Sequence, residues 1–311
     1  MSFLKTYNRE IGVAATIALL NLLLLFSGHN YFTPENLSDL LLANSPVLIL
    51  SLGMLLIILT GQIDISVGSQ FAVCSVIAGI VAKSGGSTAG AIAAAIFAGV
   101  LFGAVNGSLA AFLRVPSIVV TLATMIALRD GLRWLTQGSW VQDLPAGFQW
   151  LSLSQSGYTM AMILLIGLLI LAGSLGLRYL RAGRAVVATG SSESAARTVG
   201  TRTERVVFSV FTLTGALAGL AAALNAVRFH QIPSNAGLGL EMKVIAAVVV
   251  GGAAITGGSG TVPGTILGVI LLGTVGTGLT FLGVSAYWEK AIQGIIILAA
   301  IAINRTGRSR A

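Results

Sequence analysis

RYLRAGRAVVATGSSESAARTVGTRTE, residues Arg178–Glu204, is the one long polar interval of this chain that is strongly basic. It holds Arg178, Arg181, Arg184, Arg197 and Arg202 against Glu193 and Glu204, and Arg205 follows at once. Hydrophobic segments crowd both sides of it, so it reads as a lobe exposed on one face of a membrane protein. Within it, Ser191-Ser192-Glu193 followed by Ser194-Ala195-Ala196-Arg197 has the form of a short helix. A serine N-cap opens that helix, an acid sits at the positive end of its dipole, and Gly200 is placed to stop it. A short capped helix on a cytoplasmic loop is a handle for a soluble partner.

Composition supports the membrane assignment. The 311 residues are 55% hydrophobic and 9% charged, whereas an ordinary soluble domain has roughly a quarter of its residues charged. The net charge of +8 does not point to nucleic acid, because the basic residues are not interleaved with exposed aromatics. Cys74 is the only cysteine, which excludes an intrachain disulfide and a cysteine-based metal site and makes it a small core residue.

Apolar stretches of about 17–25 residues cross a bilayer. Such stretches lie near 11–27, 43–61, 64–82, 88–113, 116–134, 158–178, 204–228, 242–256, 261–281 and 286–304. The expectation is a single all-α domain over 1–311 with ten spans and both termini on one side. The first stretch lacks a small-x-small cleavage site and reads as an uncleaved helix. Placing the termini in the cytoplasm puts Lys5, Arg9, Arg114, the six arginines from Arg178 to Arg205, Arg305, Arg308 and Arg310 inside. That is twelve of the eighteen basic residues, in accord with the positive-inside rule.

Two halves, roughly 43–134 and 204–304, resemble each other around the loop 179–203. Gly61–Ser69 (GQIDISVGS) aligns without a gap on Gly251–Ser259 (GGAAITGGS), and Val105–Leu109 parallels Val275–Leu279. Glycine-rich breaks at matching positions are a transporter signature, and under this topology they form a parallel repeat. Glycines recur at spacing four at Gly99, Gly103 and Gly107, at Gly215 and Gly219, and at Gly264 and Gly268. That spacing lets helices approach closely, and packing within the subunit is favoured over a dimer seam.

Chemistry-bearing residues are few. Gly251–Gly260 lacks the lysine and hydroxyl residue of a phosphate loop, since Thr261-Val262-Pro263 follows. Transport driven by ATP therefore needs a separate subunit. Asp64 is an isolated acid at the mouth of a span. It reads either as a site for a proton, cation or polar substrate or as a helix cap assisted by Ser66 and Ser69, and the cap is favoured. Thr121 and Thr124 could line a polar path or bond to their own helix. Trp134, Trp140, Trp150 and Trp288 suit an aromatic belt, and His29 and His230 read as surface residues. No catalytic constellation, metal-ligand spacing or cofactor motif is present.

These motifs together resemble the permease subunits of bacterial ABC importers for simple sugars. Leu59–Ser69 is similar to that family's Gly-x-Ile-Asp-Leu-Ser-Val-Gly signature. Gly239–Gly264 resembles its Glu-x-x-x-Ile-Ala-Ala block with the paired glycines, and Gly190–Gly200 its Asn-x-Glu-Ala-Ala-Arg-x-x-Gly loop. The resemblance implies that this loop is a coupling helix docking on the ATPase through Ser192, Glu193, Ala195, Ala196, Arg197 and Gly200. Ser192 stands where the family has asparagine. Asn8-Arg9-Glu10, Trp140–Pro145 and Ile232-Pro233 with Gly239–Lys243 are most similar to the channel branch for autoinducer-2 and, more loosely, rhamnose. Gly276-Thr277 departs from the paired asparagines of ribose-type members.

What the resemblance implies is a type II importer permease in the bacterial inner membrane, with no cofactor of its own. Its partners would be ATP-binding cassette subunits, a second permease copy or a related chain, and a periplasmic binding protein. The substrate path is expected to use Asp64, Ser66, Asn106, Thr121 and Thr124. The alternatives are a branched-chain amino-acid or nucleoside permease, or a secondary transporter driven by an ion gradient through Asp64.

Overall fold

The computed structural model describes residues 8–27, 31–281, 283–284, 288, 291–292 and 294–295. The described chain is built from helices: α1 (Asn8–Ser27), α2 (Pro34–Leu59), α3 (Val67–Lys83), α4 (Thr88–Ala111), α5 (Ser117–Thr136), α6 (Gln155–Tyr179), α7 (Arg181–Ser191), α8 (Glu193–Thr198), α9 (Thr203–Ala226), α10 (Leu240–Val250) and α11 (Val262–Phe281). Five of them, α2, α4, α6, α9 and α11, are long and apolar enough to cross a membrane.

The expected spans from 11–27 through 261–281 each have a helical counterpart. The span expected at 286–304 lies outside the described residues apart from Trp288, Ala291, Ile292, Gly294 and Ile295. The span expected at 242–256 is shorter than its hydropathy suggests. Its helix, α10, ends at Val250, because Gly252, Gly257 and Gly258 adopt positive φ (+97°, +92°, +72°) and turn the chain.

Helix α2 is the axis. Thr33 caps it, its Oγ1 accepting from the Asn36 amide at 3.3 Å, and Pro34 opens it. From Ser45 to Leu59 nearly every side chain is buried, whichever face it occupies. A helix apolar all round is one that other helices surround. By contrast α6 fully buries only Tyr158, Met162 and Ile166, packs Leu165, Leu169, Ile170 and Leu177 partly against the core, and leaves Met160, Ile163, Leu164, Leu168, Leu171 and Leu175 outward, as a lipid-facing helix does.

The tightest packing is between α4 and α9. A Cβ on Gly99 would fall on the Gly215 carbonyl oxygen, one on Gly103 on the Phe211 carbonyl, and one on Gly219 on the Ala95 carbonyl. The small-residue rows therefore face each other within one chain, as expected from their spacing. A second seam joins α10 to α11, where Gly268 meets the Ala247 carbonyl and Gly264 meets Gly251.

The two ends of the bundle are distinguishable. At one end the Leu59 carbonyl accepts from the Gly258 amide at 2.9 Å, so the glycine-rich breaks after α2 and after α10 lie side by side, with Gly190 against both. At the far end Val141 and Ile232 form an antiparallel bridge, Lys83 pairs with Asp143 at 3.4 Å, and the Trp150 amide donates to the Val227 carbonyl at 2.8 Å.

Between the ends, α3 and α10 run in opposite directions with their N-termini abutting. Gly68, in the first turn of α3, touches the Gly237 carbonyl and the Glu241 carboxylate at the start of α10.

Candidate functional site

The polar lobe holds one helix more than its sequence suggests. At Leu180 the backbone turns extended (φ −79°, ψ 146°), and α7 starts afresh across the end of α6. Gly183 permits this, since a Cβ there would strike the Gly176 carbonyl. Gly183, Val186 and Thr189 are buried on the inner face of α7, while Arg181 and Arg184 point outward. The signal was present as small and apolar residues at spacing three or four with arginines opposite, hidden in a segment that reads as merely basic. Gly190 ends the helix against the membrane bundle, where a Cβ would overlap the Leu59 carbonyl and press on the Gly258 amide.

The short helix α8 follows as its sequence implies. Ser192 is extended (φ −160°, ψ 106°) and its Oγ accepts from the Ala195 amide at 3.3 Å. Ala196 is buried, fastening the helix, and Gly200 has φ +84°, the left-handed stop expected of it.

The charged residues of α8 are tied to the bundle. Arg197 donates to Glu193 at 2.7 Å and lies 2.6 Å from Glu204 in the first turn of α9. Glu204 also pairs with Arg114, in the turn between α4 and α5, at 3.5 Å. The Thr203 hydroxyl donates to Glu193 at 3.0 Å. The hydrogen bond from Arg197 holds Glu193 below the usual carboxylate range, so the pair is intact at neutral pH and is lost only as pH falls through that lowered value. Between α8 and the α4–α5 turn lies a cleft of about 430 Å³, bordered by Gln62, Arg114, Glu193 and Ser194.

Deeper in the bundle a second polar cluster gathers the other candidate residues. Asp64 is wholly buried. Its Oδ1 accepts from the Ser66 amide at 2.8 Å and from the Ser66 hydroxyl at 2.5 Å, and its Oδ2 accepts from Gln70 at 3.2 Å. Asn106 of α4 donates to the Ser66 hydroxyl oxygen at 2.9 Å, and the Thr124 hydroxyl lies 2.7 Å from the Asn106 carbonyl oxygen. Thr121 donates to the Ser117 carbonyl at 2.8 Å, while the Ser117 hydroxyl accepts from the Ile63 amide at 3.2 Å.

Five residues scattered over 64–124 thus meet at the start of α3. Asp64 acts there as the acceptor that orders the first turn. Thr121 and Thr124 each bond to their own helix, to the Ser117 carbonyl at 2.8 Å and the Val120 carbonyl at 3.0 Å. Replacing Asp64 by leucine leaves three buried donors unmatched, at about 1–3 kcal/mol each before relaxation. The expected result is a lowered melting temperature of the detergent-solubilised chain, with Asp64→Asn intermediate.

Where α3 meets α10, Glu241 is only 6% exposed and lies 3.8 Å from Arg129, whose Nε donates to Ser69 at 3.2 Å. Arg133 and Asp130 do pair at an exposed site, at 4.0 Å. Among the described residues no group of three or more histidine, cysteine or acidic side chains could hold a metal ion.

Residues 36–301 match the protein family described as branched-chain amino acid transport system / permease component. Over 97% of its length the chain is 34% identical to the autoinducer 2 import system permease protein LsrC of Photorhabdus laumondii, covering 90% of that protein. It is 35% identical, again over 97% of its length, to the proteins of that name from Salmonella typhi and Yersinia pseudotuberculosis, covering 87% and 86% of them. No solved structure matches it.

Proposed function

The chain belongs to the family of branched-chain amino acid transport system permease components, and we propose that it is the membrane-spanning subunit of an ATP-driven importer for a small sugar-like molecule. Autoinducer 2 is the first candidate, since the relatives that match nearly end to end carry that substrate in their names. ATP hydrolysis belongs to separate subunits, which dock on α8, and a binding protein delivers the substrate at the far end. Two permease copies, or this chain and a related one, enclose the path. The ten-span architecture of two related halves, in the inner membrane with both termini cytoplasmic, completes the reading.

The observation that carries it is the lobe 181–204. A six-residue helix, capped at both ends, stands outside the bundle yet is bonded to α9 through Glu204 and to the α4–α5 turn through Arg114. A carrier driven by an ion gradient needs no such handle. Pulling on α8 moves Glu204 and the start of α9, and Gly190 carries the same motion to the ends of α2 and α10. In this reading Asp64, Ser66, Asn106, Thr121 and Thr124 bear on the path by fixing the N-terminus of α3, so that α3 moves as one piece.

Proteoliposomes holding the chain with its ATPase subunits and binding protein test the proposal. Labelled autoinducer 2, ribose, rhamnose and leucine are offered in competition, with and without internal ATP. Entry of a sugar-like molecule only when ATP is present, unaffected by collapsing the proton gradient, is the expected outcome. Entry that follows the gradient instead would make the chain a secondary carrier through Asp64.

A further inference from the structure

The strip 227–239 between α9 and α10 is irregular backbone within the thickness of the bundle. It runs beside α3, with Ile232 over Gly79 and Gly237 against Gly68. The helix that follows it, α10, has 11 residues and rises about 16 Å, roughly half of a hydrocarbon core about 30 Å thick. Because α10 ends beside the docking lobe, its beginning, and the last residues of the strip leading down to it from the far end, lie at membrane depth. Irregular backbone at such depth persists only where it is buried in protein or borders a water-filled cavity.

A cavity of about 560 Å³ is present there. The strip forms one wall, and α3, the end of α9 and Trp140 form the rest. Phe71, Trp140 and Phe229 supply aromatic surface, while Ser75, Asn225 and Gln231 supply hydrogen-bonding groups. The Asn225 and Gln231 amides and the Trp140 indole N–H have no partner among the described residues. Among the described residues the lining includes His230 but no aspartate, glutamate, lysine or arginine.

That inventory decides the class of ligand. A zwitterionic amino acid brings two charges, each requiring an opposite charge or several fixed dipoles once out of water. A neutral polyol needs hydroxyl partners and an apolar face to lie on, which amides and aromatic rings provide. One lining residue, Ile232, pairs with Val141 at the end of the bundle away from α8, the end where, in the proposed importer, a delivered substrate arrives.

We propose that this cavity is the receiving site of the permease, that it takes an uncharged hydroxyl-bearing molecule of monosaccharide size, and that Asn225 and Gln231 are its selecting groups. This rests on the importer reading and adds to it the place and chemistry of substrate contact.

The test uses the full importer in proteoliposomes, with labelled autoinducer 2, ribose, rhamnose and leucine as probes. Asn225→Leu and Gln231→Ala should each slow sugar uptake, Asn225→Leu by about tenfold, the loss of one well-made hydrogen bond. ATP hydrolysis by the complex and the amount of assembled protein should stay near the parent values. Gln231 is exposed in a loop, so its replacement leaves folding intact and keeps the test decisive if Asn225→Leu does not assemble. Parent-like sugar uptake by Gln231→Ala, together with parent-like uptake by whatever Asn225→Leu protein assembles, would overturn the proposal. So would uptake of leucine in preference to every sugar, which leaves the importer reading standing. ATP-independent behaviour of the unmodified chain, in contrast, fails the importer reading itself.

Discussion

Gly215→Leu is expected to remove the folded protein from the membrane almost entirely. At this position a Cβ would fall on the Gly99 carbonyl oxygen and crowd the Gly103 Cα. The atoms in the way are main chain, which cannot step aside by changing rotamer. Overpacking against movable side chains costs about 1–3 kcal/mol, and here α4 and α9 must separate instead. These two helices form the tightest seam in the bundle, so their separation also loosens α3, which packs on both. Gly167→Leu, on lipid-facing α6 with open space around it, is the control and should leave the protein intact. Detergent melting profiles and the yield of monodisperse protein report the difference. Parent-like melting of Gly215→Leu would mean that the α4–α9 seam is not closed in the working protein.

Arg197→Glu is the second large effect, and it separates assembly of the membrane bundle from its drive. The substitution places a third carboxylate between Glu193 and Glu204, which now lie 2.7 and 2.6 Å from the guanidinium. Arg114, 3.5 Å from Glu204, is left as the cation beside three acids. The surroundings are half open to water, so the bundle should fold, and melting should shift little. Uptake should fall by two orders of magnitude or more if α8 loses its set against α9, an effect on the order of 3 kcal/mol in coupling. Charge exchange supplies the internal check: Arg197→Glu with Glu204→Arg restores opposite charges across the same gap and should recover part of the uptake. Recovery would assign the loss to this contact, whereas equal loss in the double variant would assign it to Arg197 touching the ATPase directly.

Local features of this chain were legible because they are local. Ser192, Glu193, Arg197 and Gly200 lie within one helix and its caps, so their spacing alone specifies α8. The glycine rows were equally readable, since spacing four on one helix fixes one face. What pairs with that face is a long-range fact, yet only rows of small residues can face each other so closely, and that limited the choices. The cluster around Asp64 was readable residue by residue but not as a unit. Ser66 and Asn106 are forty positions apart and meet because α4 folds back beside α3.

Two features escaped for physical reasons. Helix α7 is amphipathic over only 11 residues, too short for its periodicity to stand out among arginines. The depth of Glu241 depends on α10 starting mid-bundle, and hydropathy averages across the irregular strip before it. The same averaging extended the expected span to 256, past the glycines where the helix actually stops.

The joint at Gly190 has a mechanical meaning. Its contacts are peptide groups against peptide groups, Gly190 on Leu59 and Gly258, with no side chain interposed. Side chains give under load by hopping between rotamers, and such compliance dissipates a displacement before it travels. A main-chain joint has no such slack. In the proposed importer, a stroke reaching the lobe would meet α2 and the turn after α10 through this joint, with no rotamer change between them to absorb it.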